Sequence, residues 1–90
     1  MKPQKFMIYD GLIYLGRVNF HKELLPERPD YTRIFGGGMF EIDRENQTIR
    51  MYGYSSDFGS FCPQRAAELP FDDSRLQGFV REVLPTPYDS

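Results

Sequence analysis

His21 is the only histidine in a chain of 90 residues. Imidazole is the one side chain whose ordinary pKa lies near neutral pH, so His21 is the leading candidate for a general base or nitrogen nucleophile. It sits between Phe20 and Lys22, where a run of β-formers gives way to a polar turn. That position predicts exposure at an edge of a sheet. The plain alternative is a rim residue beside Phe20 with no chemical role. The second candidate is GYSSDFG at residues 53–59. Loops of glycine and serine can turn successive backbone N–H groups and hydroxyls toward an anion. The stretch lacks the lysine of a P-loop and does not match the dinucleotide fingerprint. Its plain alternative is a turn following a strand. An inward-pointing Asp57 would repel an anion.

Other reactive types offer less. Cys62 is the only cysteine, which excludes an intramolecular disulfide and a cysteine cluster for zinc. It is either a reactive thiol or a packed residue before Pro63. With one histidine, no transition-metal ligand set is identifiable, so neither a metal nor a cofactor is expected. Glu23, Glu27 and Asp30 interleave with Arg28 and Arg33 and read as a solvated surface. The glycines at 36–38 suit a bulge or bend where strands cross closely.

The elements that must hold these residues are legible from pattern. Residues 6–9 and 12–18 read as strands joined by a tight Asp10-Gly11 hairpin turn. Asn19 is placed to cap a short helical turn over residues 21–25, which Pro26 and Pro29 end. Residues 31–35 read as a third strand leading into the glycines. Residues 39–43 and 48–54 alternate, so Phe40, Ile42, Ile49 and Met51 share a buried face, with Glu41, Arg50 and Tyr52 opposite. Glu41 and Arg50 pair across the strands. The turn is 44–47, with Asn46 suited to positive φ. A short helix begins at Pro63. Residues 72–84 read as the best helix, capped by Asp72 or Asp73, with Leu76, Phe79, Val80, Val83 and Leu84 on one stripe. Gly78 would mark close approach of that helix to the sheet. The result is an α+β single domain, residues 1–90, with a core at about 5–85 and a loose tail; helices cover a mostly antiparallel sheet.

Composition bounds the function. The net charge is −2, with cations scattered among acids, so no nucleic-acid partner is expected. Hydrophobic residues at 40% and aromatics at 16% suit a folded domain. No apolar run is long enough for a signal segment or a membrane span, so the chain is expected in the cytoplasm and off membranes.

Together the segments resemble the Janus/Ocnus family, that of the small phosphohistidine phosphatases. The family has a triple glycine at a strand start, a polar hairpin, a strand ending in YGYS and an aromatic-Gly pair. Here these are Gly36, Gly37 and Gly38, the turn at 44–47, Tyr52-Gly53-Tyr54-Ser55, and Phe58-Gly59. Phe20-His21-Lys22-Glu23-Leu24 is similar to the stretch holding the family's histidine. The resemblance covers roughly residues 12–69. It implies a mixed sheet flanked by one or two helices. It implies His21 as base or nucleophile, beside a phosphate cradle. That cradle comprises Gly53, the N–H groups of Ser55, Ser56 and Asp57, and the Ser55 hydroxyl. The departures are Met39 in place of an arginine after the glycines, Asp57 in place of a small residue, and no clear match for an early-strand lysine. Lys5, placed before the first strand, and Arg17 are the available cations.

Two functions follow as expectations. One is a hydrolase acting on a phosphorylated protein or small anion. The other is a non-enzymatic interaction or regulatory module that keeps the fold. It would use an aromatic surface around Tyr52, Tyr54 and Phe58, and edge-strand pairing would make it a homodimer.

Overall fold

The computed structural model describes residues 2–84. Five strands form one sheet in the order β2-β1-β3-β4-β5. They are β1 (Gln4–Tyr9), β2 (Leu12–Arg17), β3 (Ile34–Asp43), β4 (Thr48–Tyr52) and β5 (Val80–Val83). All neighbouring pairs are antiparallel except β4–β5, which is parallel, so the sheet is mixed and the class is α+β. The expected tail, with Pro85 and Pro87, lies outside the described residues.

The β1–β2 turn forms because Asp10 and Gly11 both take positive φ, +51° and +81°. That pair of left-handed residues matches the right-handed twist of the flanking strands. The glycines at 36–38 lie inside β3, which is one continuous strand. Phe6 pairs with Gly38 and Met7 with Gly37, then the register shifts so that Tyr9 meets Ile34. Phe35 and Gly36 thus oppose Ile8 as a bulge, and Gly36 takes φ +85°. The structural reading of this stretch is borne out. The expected strand at 31–35 is shortened: Tyr31–Arg33 is a 3₁₀ turn, capped where the Asp30 carboxylate accepts from the Thr32 N–H at 3.0 Å.

In the β3–β4 hairpin, Phe40 pairs with Met51, Glu41 with Arg50 and Ile42 with Ile49. Phe40, Ile49 and Met51 are buried, as the alternation predicts. Arg50 lies 3.8 Å from Glu41 and 3.1 Å from Glu82. The positive-φ residue in the turn is Gln47, at +52°, not Asn46. Asn46 instead donates its backbone and side-chain N–H groups to the Asp43 carboxylate, at 3.2 and 2.8 Å.

The expected helix at 72–84 is corrected. Asp73 caps a 3₁₀ turn, Ser74–Leu76, and the chain then extends as β5. Its helical stripe is not realised: Leu76 is buried, whereas Val80 is 66% exposed. The open edge of β4 wins, because it satisfies the backbone of a segment in which Gly78 and the β-branched Val80 and Val83 weaken the helix. Val80 N–H donates to Gln47 O at 2.9 Å and Leu84 N–H to Met51 O at 2.8 Å. Gly78 has open space where a side chain would stand, so it marks no close approach.

The only α-helix among the described residues is α1 (Pro63–Glu68), with proline in its first turn as expected. One face of the sheet, with Phe6, Ile8, Ile13, Phe40, Ile49 and Met51, packs against Phe61, Ala66, Phe71 and Leu76. Phe6 and Phe61 meet edge to face at 4.9 Å. Alternation places Lys5, Met7, Gly37, Met39 and Tyr52 on the other face. There a 3₁₀ turn, His21–Leu24, packs on β1 and β2. Asn19 does not cap this turn; the Glu23 carboxylate accepts from the Phe20 N–H at 2.8 Å.

Candidate functional site

His21 opens the 3₁₀ turn and is 3% exposed, not displayed at a sheet edge. The turn folds its ring onto the glycines of β3. A Cβ on Gly37 would stand 3.0 Å from His21 Cδ2 and 2.5 Å from Phe6 O. A Cβ on Gly38 would strike Tyr52 O and the Phe6 ring. The missing side chain at Gly37 therefore lets the imidazole lie against the strand, while the bare Gly38 makes room for the Phe6 ring on the core face. Gly37 thus has a purpose beyond the bulge: it seats the histidine, whose ring is held by the Gly38 carbonyl.

His21 Nε2 lies 2.8 Å from Gly38 O. A carbonyl only accepts, so Nε2 carries the proton and Nδ1 holds the lone pair of the neutral ring. Nδ1 has no hydrogen-bond partner among the described residues. No side-chain nitrogen or oxygen sealed from solvent among them lacks a partner, so Nδ1 lies at the solvent boundary. Burial depresses the His21 pKa below 6.5; the Gly38 hydrogen bond opposes this, Lys5 lowers it further and Asp57 raises it. The ring is neutral at pH 7, the form a base or nucleophile requires.

Lys5 lies within β1, not before it, and pairs with Met39. Its ammonium donates to Asn19 O at 2.6 Å. Alternation from Met7 and Tyr9 was the signal that places it on the histidine's face. Arg17 pairs with Gln4, on the core face, so it is directed away from His21. Met39 abuts the start of the 53–59 loop: a Cβ on Gly53 would lie 3.3 Å from Met39 Cγ.

The loop is closed on itself. Ser55 N–H donates to Gly59 O at 3.1 Å, and Gly59 N–H returns to Ser55 O at 2.8 Å. The Ser55 hydroxyl oxygen accepts from Phe58 N–H at 3.1 Å, and Ser55 is 1% exposed. Gly53 and Gly59 take φ +75° and +85°, which lets the chain reverse at both ends. Gly59 O also accepts from Gly37 N–H at 3.3 Å, tying the loop to the strand that seats His21. Ser56 and Asp57 are exposed at the tip, and their amides donate to no described residue. Tyr31 stacks on Phe58 at 6.4 Å and supports the loop from outside. A hollow of about 440 Å³ is lined by Tyr54, Ser55, Ser56, Gly59 and Ser60. His21 does not line it; the link between them runs through Gly37 and Gly59.

Cys62 stands apart, exposed, with its thiol pKa lowered by the Arg65 and Gln64 N–H groups of α1. Among the described residues no His, Cys, Asp and Glu side chains group as a metal site. No helix there is long and apolar enough to cross a membrane.

A small mixed sheet thus carries a histidine seated on a triple-glycine strand, and that strand is hydrogen-bonded through Gly37 to a closed Gly-Ser loop, in a compact α+β protein. The Janus/Ocnus family model (Ocnus) matches residues 17–70, which include His21, the glycines, the hairpin and the loop. The chain belongs to the Janus/Ocnus family. No curated protein and no solved structure matches it.

Proposed function

We propose that the site handles a phosphoryl group in the manner of a phosphohistidine phosphatase. The observation that carries this reading is the fixed tautomer of His21: Nε2 is held by Gly38 O, and the lone pair of Nδ1 meets solvent. In one course, Nδ1 attacks phosphorus as the substrate's P–N bond breaks and its imidazole leaves, and water then cleaves the new P–N bond to release phosphate. In the other, Nδ1 takes a proton from the water that displaces the substrate imidazole, and the leaving nitrogen is protonated. The Ser56 and Asp57 amides, with the Ser55 hydroxyl proton, supply oriented donors for the phosphoryl oxygens, and Gly53 lets the loop turn. The Ser55 amide serves differently, bracing the loop through Gly59 O. Lys5, on the same face, supplies the positive charge that Met39 does not.

The experiment is hydrolysis of a phosphohistidine peptide by the wild type and by His21→Ala. The expected result is phosphate release by the wild type and its loss in a variant that stays folded. Wild-type release no faster than in buffer would sink the proposal.

A second reading, a non-enzymatic interaction module, is favoured by one specific group. Asp57 places a carboxylate in the loop that would hold the anion, and like charges repel. On this reading Tyr54, 55% exposed, leads the contact surface, while Tyr52 and Phe58 are only half-exposed.

A further inference from the structure

Phe20, the residue before His21, turns its ring outward and is 56% exposed. Two lysines from different elements flank that ring. Lys5 Nζ of β1 lies 6.0 Å from its centroid, and Lys22 Nζ of the 3₁₀ turn lies 5.7 Å away. The group is held in place. Phe20 N–H is fixed by Glu23, Lys5 by Asn19 O, and Val18 N–H donates to Pro3 O at 3.0 Å.

Three arginines are paired with acids, while Arg17, Arg28, Arg44, Arg65 and Arg81 form no ion pair with a described residue. Arg33 is paired with Asp10 and Asp30, Arg50 with Glu41 and Glu82, and Arg75 with Asp73. Lys5 and Lys22 form no ion pair with a described residue. Glu23, the acid nearest in sequence, turns its carboxylate to the Phe20 backbone instead. Two ammonium groups with no counter-anion among the described residues thus bracket an exposed apolar ring, in a chain whose net charge is −2.

We propose that Phe20, Lys5 and Lys22 form a docking surface for an acidic segment of a partner protein. Carboxylates of that segment pair with the two ammonium groups, and an apolar side chain of the segment lies on the Phe20 ring. The surface adjoins His21, so a docked segment is presented beside Nδ1. The inference does not require hydrolysis: an acidic substrate and an acidic regulatory partner would engage the same three side chains. Exposed ion pairs of this kind give modest affinity and clear salt dependence.

The test is an amide NMR titration of the full chain. The first probe is an unphosphorylated peptide rich in Asp and Glu with one leucine. A lysine-rich peptide of the same length and anionic phosphatidylserine vesicles are run beside it. The expected result is amide shifts at residues 19–23 and at Lys5 with the acidic peptide only, weakening as salt rises. Lys22→Glu and Phe20→Ser should each reduce affinity about fivefold, since each removes one rim contact. Shifts confined to other residues, equal binding of the basic peptide, or undiminished binding by Lys22→Glu would overturn the proposal. Vesicle binding without peptide binding would also overturn it, in favour of a lipid surface. Titration with inorganic phosphate, read at residues 56 and 57, tests the phosphoryl reading separately, so either proposal can fail alone.

Discussion

At the scale of single residues, the site rests on one buried imidazole with one nitrogen committed. Burial makes the protonated ring costly, and Lys5 adds to that cost, whereas Asp57 and Gly38 O reduce it. The pKa of His21 in the folded chain therefore lies below its unfolded value of 6.5. The unfolded state takes up the proton first as pH falls. The stability contribution of His21 is present above pH 6.5 and is lost as pH falls through the folded pKa. Urea unfolding midpoints measured from pH 8 down to pH 5 should fall in the wild type. His21→Ala should flatten that part of the profile; an identical slope in the variant would contradict the assignment. His21 as the candidate was legible from its being alone. Its burial was not, because that depends on two residues distant in sequence: Gly37, bare where the ring must lie, and Gly38, whose carbonyl accepts from the ring. Likewise the Ser55 amide looked free in sequence, and only the closure onto Gly59 O shows it engaged.

At the scale of elements, local pattern succeeded where two strands answered each other. Asp10-Gly11 set the first hairpin, and the alternation of Phe40, Ile42, Ile49 and Met51 set the second. It failed at residues 72–84, where apolar spacing fits a helix but Gly78, Val80 and Val83 carry little helix propensity. There the deciding partner was the unpaired edge of β4, which no local window contains. The side chain that joins this last strand to the helix is Arg81. It donates to Ala66 O at 3.0 Å and to Leu69 O at 2.5 Å, and stacks 4.1 Å over Phe71. Arg81→Ala leaves both carbonyls without that donor and removes the stacking. The expected cost is about 1–3 kcal/mol, measured by chemical denaturation. A change below about 0.5 kcal/mol, the usual range of an indifferent surface substitution, would show that α1 is held by its apolar contacts alone.

At the scale of the whole molecule, the sheet separates two tasks. One face is a continuous apolar core that includes Phe6, Ile49, Phe61 and Phe71. The other carries Lys5, Gly37 and Met39, with the 3₁₀ turn of His21 laid across it. The hairpin pattern and the family's triple glycine made this division partly readable. The sequence pattern offers Lys5 as an available cation but places it outside the sheet, because the first strand begins earlier than its apolar run suggests. The central claim is that His21 Nδ1 and the loop tip at Ser56 and Asp57 act on one phosphoryl group. Its most direct test is the ring ¹⁵N spectrum of His21 at pH 7, recorded with the backbone amides as inorganic phosphate is added. The account predicts a neutral ring protonated on Nε2, with phosphate moving the Nδ1 resonance and the amides of Ser56 and Asp57 together. A ring protonated on Nδ1, or a ring and loop that ignore phosphate, would contradict it.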